Sequence, residues 1–340
     1  MRKYLHLLFF GFFIFASQNG WAQGLHFSQY YNAPMLQSPA NTALMPEDDF
    51  RVGINYRNQW STIPAPFNTF AAFADFQLFR NRNLKNWLGV GGAFFTDRAG
   101  NGDLALTKGQ FNVAYHIQLS DNSMLSGGLG AAFVQRSVDF NKLTFDVQWD
   151  GFTFNRDRMN GEGNAVGKTS YADITAGINY AYFPSEDLYI KFGVGMLHIN
   201  QPKESLLSSE DNKLGMRPTG MIDILFKLNS GWIANPSIYY TQQRSAYELV
   251  FGSLFSCNIS PSEKAPNLLI MGLYHRLAES IIPVVGFEWK KIRLVTSYDF
   301  TVSKLSSANG GNGAFELSLI YQGLYNMGSV NRSAYNCPRF

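Results

Sequence analysis

Apolar and polar residues alternate with a period of two along most of the chain. In YADITAGINYAY (171–182), apolar side chains occupy every second position from Ala172 to Tyr180, and Asp173 begins the polar set between them. Because successive side chains of a β-strand point to opposite faces, such a segment predicts a strand with one apolar and one polar face. The same pattern recurs in three further segments: FNVAYHIQL (111–119), IRLVTSYDF (292–300) and FELSLIYQ (315–322).

Two architectures are compatible with strands of this kind. A soluble β-sandwich buries the apolar face, whereas an outer-membrane barrel turns that face to lipid and keeps the polar face for its lumen. Segment lengths of roughly 10–12 residues match a tilted membrane-spanning strand, which favours the barrel. Charges in mid-strand favour it too, because a closed lumen can pair them: Asp173, Lys191, Asp223, Lys227, Glu288, Arg293 and Asp299. Aromatic residues at strand ends fit the interfacial girdles of such barrels: Trp60, Trp87, Tyr182, Trp232, Trp289 and Tyr321.

The spacing of these segments predicts an all-β fold, a transmembrane antiparallel β-barrel of about 14 strands, which is an even number as bacterial barrels require. The strands are expected to begin near Phe50, Phe67, Trp87, Lys108, Met124, Tyr171, Leu188, Met216, Trp232, Ala246, Asn267, Ile281, Ile292 and Gly313. With both barrel ends in the periplasm, the outward loops should be the long ones: Asp97–Thr107, Ser137–Ser170, Asn200–Gly215 and Ser303–Asn312. Two connections break this rule, because Cys257–Pro266 is long for an inward turn and Gln243–Ala246 is short for an outward loop.

The two ends of the chain differ in character from this strand pattern. Arg2 and Lys3 precede an apolar stretch and small residues, which predicts a secretory signal peptide cleaved after Ala22. The expected organisation is therefore a signal peptide (1–22), an N-terminal lumen or plug segment (23–49), a barrel (50–323) and a C-terminal tail (324–340).

The segment GLHFSQYYNAPMLQSPANTAL (24–44) has neither a helical stripe nor alternation, yet it is rich in aromatics, amides and prolines. An irregular chain of this composition suits the inside of a barrel, where polar groups of the lumen can hydrogen-bond to its backbone. Five glycines would suit crowded or kinked positions in the lumen: Gly127, Gly128, Gly130, Gly193 and Gly195.

Composition and motifs exclude several classes of function. Charged residues make up 16% of the 340 residues and the formal net charge is +3, which argues against a nucleic-acid partner. The loop GEGNAVGKTS (161–170) lacks the spacing of a phosphate-binding loop, so no nucleotide cofactor is expected. No histidine or cysteine has a second metal ligand at a suitable spacing, so no metal site is predicted. His116 and Asp299 are of the residue types found in catalytic sets, but no residue is nominated as the nucleophile, so catalysis is not predicted. Whether Cys257 and Cys337 form a disulfide stays open.

Several stretches together resemble the PorP/SprF family. They include HFSQYYNAPMLQSPANTAL, FRVGINYRNQW, LSGGLGAAFVQRSVDFNKLTFDVQW, GKTSYADITAGINY, RLVTSYDFTVSKL and the ending CPRF, and they follow one another across nearly the whole expected mature chain. The resemblance implies an outer-membrane barrel of Bacteroidetes that works with the type IX secretion and gliding machinery. It also implies secreted adhesins or surface proteins with a C-terminal sorting domain as partners, together with outer-membrane lipid. It implies no catalytic residues.

Protein recognition by the long outward loops is the function that we expect. The loop Ser137–Ser170 contains aromatic and arginine residues of the types that dominate binding hot spots: Trp149, Phe152, Phe154, Arg156 and Arg158. The same residues could instead pack the loop into a lid. The alternative function is a channel for a solute or a hydrophobic substrate.

Overall fold

The structure is a computed structural model that describes residues 27–45, 48–62, 66–81, 86–100, 102–155, 157–159, 161, 167–206, 212–260 and 267–325. The expected signal peptide, most of the expected C-terminal tail, Arg156 and Cys337 lie outside the described residues.

Fourteen antiparallel strands form one closed barrel in which each strand pairs with its neighbour in sequence. The barrel closes where the first strand pairs with the last, from Phe50↔Gly323 to Gln59↔Ala314. The strands are β1 (Phe50–Gln59), β2 (Phe67–Asn81), β3 (Asn86–Ala99), β4 (Leu104–Ser120), β5 (Ser123–Ser137), β6 (Lys168–Ser185), β7 (Leu188–Leu197), β8 (Arg217–Asn229), β9 (Trp232–Gln243), β10 (Ala246–Asn258), β11 (Leu268–Arg276), β12 (Ser280–Trp289), β13 (Ile292–Thr301) and β14 (Asn312–Gly323). The predicted architecture and number of strands are confirmed.

The two ends of the barrel differ in the length of their connections. We call the end where β1 begins and β14 ends the terminal end, and the opposite end the loop end. Two-residue turns join β4 to β5, β6 to β7, β8 to β9 and β12 to β13 at the terminal end. The loop end carries the longest connections, 138–167 and 198–216, and a ten-residue one, 302–311, that contains the short helix α1 (Ser306–Asn309). No helix among the described residues is long and apolar enough to cross a membrane.

The prediction of one long loop is wrong. The segment Asp97–Thr107 is mostly strand, because Asp97 pairs with Leu106 and Ala99 pairs with Leu104, which leaves only residues 100–103 as the connection. The segment begins with the charged residues Asp97 and Arg98. The backbone ladder nevertheless continues through them, and the Thr69 hydroxyl on the neighbouring strand donates a hydrogen bond to Asp97 at 2.6 Å.

The outer surface of the barrel is apolar and its interior is polar, as the alternation predicts. On β4, the side chains of Phe111, Tyr115 and Leu119 are exposed, whereas Asn112 and His116 are buried inside. Trp87 corrects one expectation about the aromatic girdles, because its side chain is 1% exposed and lies in the lumen. The neighbouring residues of β3 are apolar on both faces, so alternation alone could not assign Trp87 to a side.

Tryptophan fluorescence in lipid distinguishes the two faces. In single-tryptophan variants reconstituted into bilayers, Trp289, which is 49% exposed, is expected to be quenched by lipids with brominated acyl chains. Trp87 is expected to resist the same quencher because it packs inside the barrel. Equal quenching of the two residues would contradict the assignment of Trp87 to the lumen.

Residues 27–45 pass through the lumen, and we call this segment the plug. It contains three short 3₁₀ turns, Tyr30–Asn32, Pro34–Leu36 and Pro39–Asn41. Phe27 packs against Ala71 and Phe95 toward the loop end, whereas Leu44 packs against the cluster around Trp87 and Phe183 toward the terminal end. The described part of the N-terminal segment therefore lies inside the barrel.

Three glycines in register allow the plug to approach the barrel wall. Gly128 on β5 pairs with Gly177 on β6, which pairs with Gly195 on β7. A Cβ atom on Gly128 would lie 2.5 Å from the backbone carbon of Pro39. Gly130 and Gly193 are similarly crowded by lumenal side chains, as expected. Gly127 was wrongly assigned to this set, because it faces outward and a Cβ there would meet nothing within 4 Å.

Candidate functional site in the lumen and at the loop end

The beginning of the plug is held by hydrogen bonds to the barrel wall. The Glu316 carboxylate on β14 accepts the backbone N–H groups of Ser28 and Gln29 at 2.8 and 2.9 Å. The Gln29 side chain donates to Ser297 on β13, and the Tyr30 hydroxyl lies 2.6 Å from the Ser237 hydroxyl on β9. Lumenal side chains thus replace the ladder that this irregular backbone lacks.

A buried ion cluster surrounds Ser28. Arg57 donates to the Ser28 hydroxyl at 2.6 Å, to Asp299 at 2.9 Å and to Glu316 at 3.1 Å. Arg276 donates to the same hydroxyl at 2.8 Å and to Asp299 at 2.9 Å. The Ser28 hydroxyl donates in turn to Asp299. The cluster joins the plug to β1, β11, β13 and β14, and therefore spans the seam where the barrel closes.

The end of the plug is held by a second set of contacts. The Ala43 N–H donates to Asp75 at 2.7 Å, and Arg51 forms two hydrogen bonds with the same carboxylate. The Trp87 indole donates to the Ala43 carbonyl, and His116 Nε2 lies 2.8 Å from the Thr42 carbonyl. His116 is therefore a hydrogen-bonded lumenal residue, which is the role that its isolated position in the sequence predicts.

A cavity of about 460 Å³ remains between the plug and the loop end, and we call it the loop-end cavity. Its floor includes Phe27, Leu36 and Gln37 of the plug, and its walls are formed by residues of strands β2 to β9 and of the β7–β8 connection. Lys108 on β4 and Arg217 on β8 both line it. Sequence reasoning missed this cavity, because the residues that line it are far apart along the chain.

The β5–β6 connection presents the predicted hot-spot residues on a small hairpin. Trp149 and Phe154 form an antiparallel bridge, and their rings lie 5.0 Å apart. The turn between them places Phe152 at the tip with 94% of its side chain exposed. Arg158 Nη1 donates to the Trp149 carbonyl at 3.2 Å, so it supports the hairpin, while Arg156 lies outside the described residues.

The turn below Phe152 is ordered by a carboxylate. Asp150 accepts the backbone N–H groups of Thr153 and Phe152 at 2.8 and 2.9 Å. These hydrogen bonds stabilise the ionised carboxyl and hold the pKa of Asp150 below its usual range. The ionised carboxyl of Asp150 therefore stabilises the turn at any pH above the ordinary carboxyl pKa. This stabilisation is lost only as the pH falls through the lowered pKa of Asp150.

Among the described residues, no group of three His, Cys, Asp or Glu side chains is placed to hold a metal ion. Asp173 has two titratable partners near the loop end, since Lys108 and His198 contact it at 3.0 and 2.9 Å. The question of a disulfide with Cys257 falls outside the described residues, because Cys337 lies there.

The closed barrel, its apolar outer surface and its lumenal plug define an outer-membrane β-barrel protein. The family model of the type IX secretion system membrane protein PorP/SprF matches residues 19–321. The chain therefore belongs to the PorP/SprF family and is a membrane protein of the type IX secretion system, located in the outer membrane. None of the curated protein sequences matches this chain.

Three solved structures with a similar fold are remote in sequence. The toluene transporter TbuX of Ralstonia pickettii is 12% identical with a TM-score of 0.56, and the match covers 87% of this chain and 94% of TbuX. The CymD monoaromatic hydrocarbon channel is 9% identical with a TM-score of 0.53, covering 88% and 94%. The toluene transporter TodX of P. putida is 9% identical with a TM-score of 0.51, covering 87% and 94%. These likenesses concern the fold alone.

Proposed function

We propose that this barrel binds secreted surface proteins, such as adhesins of the gliding machinery, through their C-terminal sorting domains. The observation that carries the proposal is the hairpin of the β5–β6 connection, which presents an almost fully exposed Phe152 on an ordered turn. An exposed aromatic side chain on a rigid support loses little conformational entropy on binding, as the anchors of protein interfaces require. Trp149 and Phe154 beneath it extend the apolar surface.

The filled lumen also supports binding rather than conduction. The plug forms hydrogen bonds with strands on many sides of the barrel, including β2, β4, β8 and β14. In this proposal a solute has to displace this segment in order to pass. In our proposal the barrel acts through its loop end, as an outer-membrane partner of the secretion machinery.

Substitution of Phe152 tests the proposal. The Phe152→Ala variant is expected to lose about 2 kcal/mol or more of client binding, roughly a 30-fold loss of affinity, because hot-spot aromatics contribute on this scale. The measurement is quantitative mass spectrometry of proteins that co-purify with the tagged barrel from detergent-solubilised outer membrane. Deletion of Gly151–Gly167 is expected to leave barrel assembly intact and to abolish retention of the same client.

Phe79→Ala is the matched control. Phe79 is also strongly exposed, but it lies near the terminal end of β2, so its substitution should leave client retention unchanged. Full retention of the client by both the Phe152→Ala variant and the deletion variant would contradict the proposal.

A second candidate is a channel for a solute or a hydrophobic substrate. It is favoured by the fold likeness to barrels named as toluene transporters and a hydrocarbon channel. The loop-end cavity, with its apolar floor, would then be a point of substrate entry. Conductance of the wild-type barrel separates this candidate from partner binding.

A further inference from the structure

The loop-end cavity has the dimensions of a ligand site. Its volume of about 460 Å³ falls within the range of roughly 300–1,000 Å³ that is typical of small-molecule pockets. Phe27 and Leu36 of the plug and Phe95 and Leu106 of the wall pack together at its floor. The floor is therefore apolar, and it can accept a hydrophobic side chain.

The walls of the cavity carry more positive than negative charge. Five basic residues line it: Lys108, Arg136, Lys213, Arg217 and Arg244. The lining carboxylates are Asp97 and Glu204, and a third carboxylate, Asp173, forms an ion pair with Lys108. Five positive and three negative charges give the cavity a net charge of +2. Both lining carboxylates already accept hydrogen bonds, from Thr69 and from Tyr171. A partly enclosed cavity with this charge balance favours an anion.

The side chain of Gln37 indicates which kind of anion the cavity binds. Its side chain lines the cavity although the residue is only 8% exposed. The backbone of Gln37 is held by Pro34 and by Thr219, but its side-chain amide has no hydrogen-bond partner among the described residues. Because Gln37 lines the cavity and its amide has no partner within the described part of the chain, this amide is available to a ligand. It offers both a donor and an acceptor, which match the two groups of a peptide bond.

We propose that the loop-end cavity binds the free C-terminus of a polypeptide that ends in apolar residues. The apolar side chain lies against Phe27 and Phe95, the peptide group pairs with the Gln37 amide, and the terminal carboxylate faces Lys108 and Arg217. This inference rests on the proposed function, because it assigns a second contact to a client that the β5–β6 hairpin recruits.

Calorimetric titration of the full-length barrel in detergent tests the inference with defined probes. The peptide acetyl-Ala-Leu-Phe with a free carboxylate is expected to bind at least about tenfold more tightly than its C-terminal amide, because hydrogen bonds to charged groups are the stronger ones. Gln37→Leu should weaken the free acid by about tenfold, the scale of one hydrogen bond. Gln118→Leu is the matched control. Gln118 lies on β4, and its buried side-chain amide also has no hydrogen-bond partner among the residues that the structure describes, so this substitution should leave the affinity for the peptide unchanged.

Three outcomes would overturn the inference. They are equal binding of the acid and the amide, an unchanged affinity in Gln37→Leu, and binding of decanoate as tightly as the peptide, which would assign the cavity to a fatty carboxylate. Client retention separates this test from that of the proposed function. If Gln37→Leu retains clients fully while Phe152→Ala loses them, the cavity assignment fails and the hairpin assignment stands.

Discussion

Replacing Arg57 by Met is expected to lower the free energy of unfolding of the barrel by about 3–5 kcal/mol, the cost of removing one partner from a buried ion pair. Arg57 is buried and contacts Asp299 and Glu316 together with the Ser28 hydroxyl of the plug. Its loss leaves the Glu316 carboxylate with only the backbone N–H groups of the plug as partners. The measurement is urea unfolding in detergent, followed by the shift of the folded band on unheated gels.

Two further variants make this prediction specific. Glu316→Gln in the Arg57→Met background should recover part of the loss, because it removes the unpaired charge and keeps one acceptor oxygen, which can serve Ser28 or Gln29 but not both. Lys142→Met breaks an exposed pair with Asp103 and should have no measurable effect, because surface ion pairs contribute little. An Arg57→Met variant as stable as the wild type would contradict the assigned role of the cluster.

Gly128→Ala is expected to displace the plug. The new Cβ would lie 2.5 Å from the Pro39 carbonyl carbon and 2.6 Å from the Ala40 nitrogen, and neither backbone atom can move alone. Overpacking of this kind typically costs about 1–3 kcal/mol, and the cost falls on the contact between plug and wall. Cells that express this variant should become sensitive to a large antibiotic that the intact outer membrane excludes, and the plug should become open to protease in the purified protein.

Gly127→Ala provides the control one residue away. Gly127 faces outward with nothing within 4 Å of a new Cβ, so the same substitution in the same strand should leave the plug in place. If both variants behave alike, the effect at Gly128 arises from the strand rather than from contact with the plug.

The strands could be predicted because the membrane imposes alternation on them. The predicted starts agree with the structure to within four residues, and the largest difference is Lys108 against the observed Leu104. Trp87 and Gly127 were misassigned because the plug gives part of the lumen an apolar surface. Where both faces of a strand contact apolar groups, a period of two no longer distinguishes the inside from the outside.

The ion cluster around Ser28 could not be found from sequence. Its members lie on the plug and on strands β1, β11, β13 and β14, separated by up to 288 positions, and they meet only because the barrel closes. Asp299 was expected in the lumen from alternation, but alternation does not supply its partners. The aromatic loop was visible by composition, whereas the tight turn that exposes Phe152 depends on hydrogen bonds to Asp150.

The most direct test of the account is the conductance of the purified wild-type barrel in planar bilayers. With the plug closing the lumen, as proposed here, the protein acts by binding partners at its loop end. We expect no steady conductance above that of the protein-free bilayer while the plug is in place. A stable conductance of porin size in the unmodified protein would contradict it and would favour the channel.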